Sequence, residues 1–173
     1  MNERLSGSQT SLPVPPDLRE VLTAFEAGRP MIDVRVGTWD VLGREAAALR
    51  TQVFVDEQKI PAELEWDAVD AQSLHAVAYN RFGLALATGR LLAHAPGVSK
   101  IGRMAVLAPL RGSRIGRAVL DALVRAARER GDTQVLLHAQ ASELPFYSRA
   151  GFVAQGLAFE EAGIPHQAMV KAL

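Results

Sequence analysis

The sequence predicts a mixed α/β domain whose helices flank a partly antiparallel sheet. Three observations predict it. Short runs that alternate apolar and polar side chains, such as Met31–Val36, read as strands. A long stretch from Ser113 to Arg130 places Ile115, Val119, Leu120, Leu123, Val124 and Ala127 at helical spacing, and Gly131 closes it. The order of elements is strand, two helices, three strands, long helix, strand, helix, two strands. The 173 residues fit one domain, and a chain of that size buries about 68–70% of the surface its unfolded form exposes.

The elements follow in order. Residues 1–16 are rich in Ser, Pro and Gly and read as a flexible arm. Asp17 is placed to cap a short helix from Leu18 to Ala27, ended by Gly28, so the arm is assigned to 1–28 and the domain to 29–173. Thr38 caps a helix running to about Thr51, with Val41, Leu42, Ala46 and Leu49 on one face. The acidic run from Val53 to Asp70 contains Pro61 and reads as a broken helix and loop. Strands are expected over Leu74–Tyr79, Leu84–Leu92 and Lys100–Leu107, with turns at Asn80–Gly83 and His94–Ser99. Thr133–Gln140 is a short buried strand and Ala141–Ala150 a helix stopped by Gly151. Phe152–Glu160 and Gln167–Ala172 form a final strand pair.

Composition excludes several functions. The chain has no cysteine, so disulfide scaffolds, cysteine-based zinc sites and a cysteine nucleophile are ruled out. No metal is expected. Formal net charge is zero, which points away from nucleic acid and from anionic membranes. No apolar run reaches the roughly 18 residues of a membrane span, and a cytoplasmic location is the default expectation.

The most informative stretch is the strand Met104–Leu107, then Ala108–Leu110, then Arg111–Gly112–Ser113–Arg114–Ile115–Gly116. A strand that turns through a glycine into a helix offers free N–H groups and a helix dipole to an anion. Arg111, Arg114 and Arg117 are unfavourable for the helix itself, and a bound polyanion accounts for them. The other reading is a solvated basic helix start. The stretch lacks the Gly-Lys-Ser/Thr ending of a P-loop and the spacing of a dinucleotide fingerprint.

These residues resemble the GNAT acetyltransferase superfamily, in particular its ElaA-like and YjcF-like branch. Arg111–Gly116 matches the motif Gln/Arg-x-x-Gly-x-Gly/Ala at its first and last positions, with Arg114 replacing the middle glycine. Phe146–Phe152 matches the family's Tyr-x-x-x-Gly-Phe, and Gln140 stands where many relatives carry a coenzyme A-contacting Asn. Phe54–Gln58, Glu65–Asp67, His75, Ala87–Arg90 and Phe159–His166 extend the match, so it covers about residue 31 to the end.

The resemblance implies the acyl-CoA N-acyltransferase fold, a mostly antiparallel twisted sheet splayed between strands four and five. It implies transfer of acetyl from acetyl-CoA directly to an amine, a small molecule first and a peptide second. Met104, Ala105 and Val106 are implied to pair with the pantetheine arm, and Arg111, Gly112, Ser113, Arg114, Ile115 and Gly116 to hold the pyrophosphate. Tyr147 is the implied acid for the leaving thiolate; its other reading is an aromatic packed at a helix end. With strand six taken as running opposite to strand five, His75, Arg103 and the Glu160–His166 turn share one end of the sheet, away from the pyrophosphate. His75 and Glu160 are the candidate bases, and Glu57, Glu65, Arg103 and His166 the acceptor-binding candidates. His75 or His166 can equally be a structural histidine, and Arg103 half of an ion pair. His138 is a lesser candidate, and Trp66 lines the pocket or covers the core. If the acidic run faces the pocket, a cationic amine is the acceptor. The branch implies a possible homodimer. The competing function is a non-catalytic acyl-CoA sensor on the same scaffold.

Overall fold

The computed structural model describes residues 31–173. The expected arm and the helix over Leu18–Ala27 lie outside the described residues. Strand β1 (Ile32–Thr38) leads into helix α1 (Trp39–Arg50), which widens into a π-helical stretch over Thr51–Glu57. A single turn, α2 (Ala62–Glu65), and a 3₁₀ turn (Ala68–Gln72) complete the crossing to β2 (Leu74–Asn80). Strands β3 (Ala85–Ala95) and β4 (Val98–Val106) follow, then α3 (Ile115–Glu129), β5 (Gln134–Gln140), α4 (Leu144–Arg149), β6 (Val153–Glu161) and β7 (Ile164–Ala172).

Every expected element in this range exists, with shifted ends. The turn between β3 and β4 tightens to Pro96–Gly97 because both strands run further than their apolar cores. The expected helix over Ala141–Ala150 is a 3₁₀ turn followed by six α-helical residues, because Pro145 favours a helix start. β7 begins at Ile164, three residues before Gln167.

The sheet order is β1-β2-β3-β4-β5-β7-β6, and only the β4–β5 pair is parallel. Alternation along the strands loads both faces. Ala76, Ala78, Leu91, Ile101, Val135, Leu137 and Met169 pack with Val119, Leu120 and Leu123 of α3. Val77 and Tyr79 pack with Leu42, Ala46 and Leu49 of α1 on the other face. The π-helical stretch adds Val53 and Phe54 over Ala105.

Two features position the site. β4 and β5 keep register for four rungs, Val98↔Gln134 to Ile101↔Leu137, and then part. β7, not β6, lies beside β5, with His166 opposite Gln140, and β6 pairs outside it. This corrects the expected grouping at one end. His75 sits opposite Arg90, which sits opposite Gly102, in the middle of the sheet. The β6–β7 turn lies beyond Gln140, at the end toward which β4 and β5 both run. The parallel β4–β5 pair followed by an antiparallel β7 leaves no other place for it.

Candidate active site

The fork opens at Ile101 and Leu137. One arm is the remainder of β4, which carries a bulge: Arg103 and Met104 lie opposite the single residue Gly89, between the rungs Arg90↔Gly102 and Thr88↔Ala105. Arg103 takes φ +52 there, a left-handed backbone that a side-chain-bearing residue adopts only under constraint. The constraint is visible. Its guanidinium donates to Glu65 O at 3.3 and 3.2 Å and to Asp67 at 3.4 Å.

β4 then enters the expected anion loop. Gly112 has φ +81, which explains glycine at that point of the turn. A Cβ on Gly116 would stand 3.1 Å from Val106 Cγ2, so the helix packs closely on the strand it follows. The N–H groups of Arg111 and Ser113 are spent on Ala108 O and Leu110 O. The N–H of Ala118 makes the first helical bond, to Arg114 O. The amides ahead of it, at Arg114, Ile115, Gly116 and Arg117, are the orphans of the helix start.

Arg111 is committed elsewhere. Its guanidinium makes a two-pronged pair with Glu57, with Nη2 2.7 Å from Oε2 and Nη1 on Oε1, and Nε donates to Val106 O at 3.2 Å. The hydrogen bond from Arg111 holds the Glu57 carboxyl below its usual range. Beside this pair, Gln140 Nε2 donates to Gln58 Oε1 at 3.1 Å, a bridge from β5 to the π-helical stretch.

Tyr147 on α4 is 8% exposed. Its ring stands edge-on to Phe146 at 4.9 Å and to Phe152 at 6.0 Å. Burial first, and then Glu143, push its phenol far above the ordinary value, so it keeps its proton.

The acidic run is largely consumed by arginine, which corrects the picture of carboxylates facing the acceptor. Arg50, 1% exposed, donates from Nε to Glu65 Oε1 at 2.5 Å and from Nη1 to Asp70 Oδ1 at 2.8 Å. Arg90 Nη1 donates to Asp67 at 2.8 Å and to Asp70 at 2.9 Å. Glu65 is therefore a buried ion-pair partner, and Glu57 belongs to Arg111. Trp66 lies over the Arg50 guanidinium at 4.8 Å. His75 is 0% exposed, its Nε2 donates to Asp70 O at 2.9 Å, and it packs on Trp39. Burial pushes its pKa down. It is a neutral core histidine and does not reach the opening, so it is withdrawn as a base.

The other arm of the fork brings together residues the sequence kept apart. His138 is the first β5 residue past the last rung. Phe159 stacks on His166 at 5.9 Å and meets His138 edge-on at 4.9 Å. Glu161 Oε2 lies 3.7 Å from both His138 Nδ1 and His166 Nε2. Glu160, between Phe159 and Glu161, must point to the opposite face, so Glu161 replaces it as the carboxylate of this opening. Lys100 reaches His138 Nδ1 at 3.4 Å. Lys100 was missed from sequence; its signal was a polar side chain between the buried Ser99 and Ile101.

Among the described residues, no group of three or more His, Cys, Asp or Glu could hold a metal ion, and no helix is long and apolar enough to cross a membrane.

Comparison with known proteins places this geometry. The acetyltransferase (GNAT) domain family matches residues 44–173. The uncharacterized N-acetyltransferase YjcF of Bacillus subtilis is 36% identical over 129 residues, 74% of this chain and 91% of that protein. Protein ElaA of Escherichia coli is 31% identical over 127 residues, 71% of this chain and 82% of its own. The ElaA crystal structure superposes with TM-score 0.73 at 27% identity, covering 82% of this chain and 99% of that one. An acyl-CoA N-acyltransferase from Pseudomonas aeruginosa gives TM-score 0.72 at 35% identity, with 82% and 99% covered. The overall fold is thus shared with these proteins, and the chain belongs to the GNAT family, as an acyltransferase that takes an acyl-CoA and an acceptor.

Proposed function

We propose that this chain transfers the acetyl group of acetyl-CoA to a primary amine of a small molecule, directly, within a ternary complex. The observation that carries the reading is the β4–β5 fork, with a helix start at the end of one arm and the buried, protonated Tyr147 on α4. The absence of cysteine supports direct transfer: no acetyl-cysteine can form. The acetyl group, rather than a longer acyl, is supported by the N-acetyltransferase name of YjcF.

In this reading residues 29–173 are the catalytic unit. Met104, Ala105 and Val106 offer the pantetheine arm the side of β4 that faces away from β3. The amides of Gly112 and Arg114–Gly116, with the Arg111 side chain and Ser113, take the pyrophosphate. Gln140 contacts the ligand at the other arm. The amine attacks the thioester carbon, a β4 amide steadies the oxyanion, and Tyr147 protonates the departing thiolate.

Calorimetric titration with acetyl-CoA and desulfo-CoA, followed by thiol release with a panel of amines, tests this. Binding plus amine-stimulated thiol release is the expected result. No binding of either ligand up to the millimolar range overturns the reading, and binding without turnover replaces it with a sensor.

The Glu57–Arg111 pair gives a second test. Arg111 must leave Glu57 to meet a phosphate. An exposed ion pair is worth about 0.2–1 kcal/mol, so Glu57→Gln should tighten acetyl-CoA binding by up to about fivefold. A weaker Kd in this variant would show that Glu57 positions Arg111 rather than competing for it.

A further inference from the structure

Four carboxylates around the fork are held by arginine: Glu57, Glu65, Asp67 and Asp70. Glu161 differs. It is 52% exposed, and the groups nearest it are two histidine rings. The face it shares with Phe159, His166 and His138 opens where β4 and β5 part.

The two histidines are not equivalent. An ammonium only donates, so Lys100 makes His138 Nδ1 an acceptor and occupies its lone pair. Burial, and then Lys100, push the His138 pKa down. At His166 the opposite holds. Its Nδ1 lies 2.7 Å from Ile164 O, and a carbonyl only accepts, so Nδ1 carries the proton. In the neutral ring the lone pair is then on Nε2, which faces Glu161 Oε2 at 3.7 Å. With those two atoms so spaced, one nitrogen can stand about 2.9 Å from both. A primary ammonium has the N–H groups to donate to each.

We propose that Glu161 and His166 form the acceptor's ammonium site, and that His166 Nε2 is the proton acceptor for the acyl transfer. This rests on the acyltransferase reading and narrows it to a cationic alkylamine. The amine's N–H bond breaks, its electron pair stays on nitrogen, and the proton bonds to Nε2. The imidazolium then lies against the Glu161 carboxylate. The freed pair attacks the thioester carbon, the C–S bond breaks toward sulfur, and the second N–H proton, lost as the nitrogen becomes an amide, ends on the thiolate by way of Tyr147. The imidazolium returns its proton to solvent. The other charged or titratable groups near this site are His138 on β5 and Lys100 on β4, and Lys100 in turn feels Arg103 and Arg90. Lys100 contacts His138 Nδ1, and Glu161 is the leading charge acting on it.

The test compares two probes, an alkylamine such as phenethylamine, charged near pH 7, and an arylamine such as 4-methoxyaniline, already neutral there. In His166→Gln, kcat/KM for the alkylamine should fall by roughly 10²–10⁴-fold, while the arylamine stays within a few-fold of wild type. Glu161→Gln, at an exposed side chain that is no threat to folding, should raise KM for the alkylamine and leave that for the arylamine unchanged. Both variants should bind acetyl-CoA as wild type does. Equal losses with the two amines, an unchanged alkylamine rate, or a wild type that binds acetyl-CoA but acetylates only the neutral amine would each overturn the proposal. A wild type that fails to bind acetyl-CoA would instead overturn the acyltransferase reading beneath it.

Discussion

Tyr147→Phe should lower kcat by roughly 10²–10⁴-fold, the usual contribution of a positioned proton donor, while acetyl-CoA binds as before. The argument is one of proton supply. The phenol is lifted far above its ordinary value by burial, so it stays protonated across any practical assay range and should contribute no basic limb to the pH–rate profile. The ring sits between Phe146 and Phe152, and phenylalanine keeps those edge contacts, so thermal stability should change little. Single-turnover thiol release beside a calorimetric Kd separates the effects. A variant that keeps its kcat would show that Tyr147 only packs, and that water protonates the thiolate.

Arg50→Ala should cost the fold about 3–5 kcal/mol, the penalty for leaving buried charges without their partner. Arg50 is 1% exposed and holds both Glu65 and Asp70, so its loss leaves Glu65 only Arg103 at 3.3 Å and Asp70 only Arg90 at 2.9 Å. For a domain of this length, thermal unfolding should drop by roughly 6–20 °C. Adding Glu65→Gln and Asp70→Asn to the variant should recover part of the loss. The pH dependence has a defined sign. Burial alone would raise the Asp70 pKa, but the hydrogen bonds from Arg50 and then Arg90 outweigh it and leave it lowered. A carboxyl depressed in the folded state stabilises fully above its unfolded value of about 3.9, and that contribution is lost as pH falls through the folded value. Wild-type unfolding temperature should therefore fall steeply below about pH 4, and less steeply in the variant. Parallel acid limbs would show that Asp70 is not the group responsible.

The strands, helices and glycine turn into α3 were legible because each has a local signature: alternation in β1, the apolar stripe of α3, and Gly112 where the backbone needs a positive φ. Motif spacing singled out Tyr147 and Gln140, whose roles the acetyl-CoA experiments decide. What sequence could not provide was register and partner. Glu160 and Glu161 differ by one residue, and only the ladder to β7 decides which carboxylate meets the histidines. His75 looks like any histidine at a strand start until α1 and the 3₁₀ turn close over it. The role of Arg50 depends on partners 15 and 20 residues away, and no local pattern announces them. The end-grouping error came from β7 slipping between β5 and β6, a placement that neither strand's composition specifies.

A sheet that parts in its middle has two more margins than its outline suggests. Beyond Ile101 and Leu137, β4 and β5 each present a margin toward the gap, and a bare β-margin is a template for pairing with another chain. Here the exposure is guarded. The bulge at Arg103 spoils a flat approach along β4, and the Gln58–Gln140 bridge and the Glu57–Arg111 pair span the mouth with polar side chains. These residues fill the mouth with polar groups in place of a bare backbone margin, and changes that loosen them should be felt first as aggregation on storage.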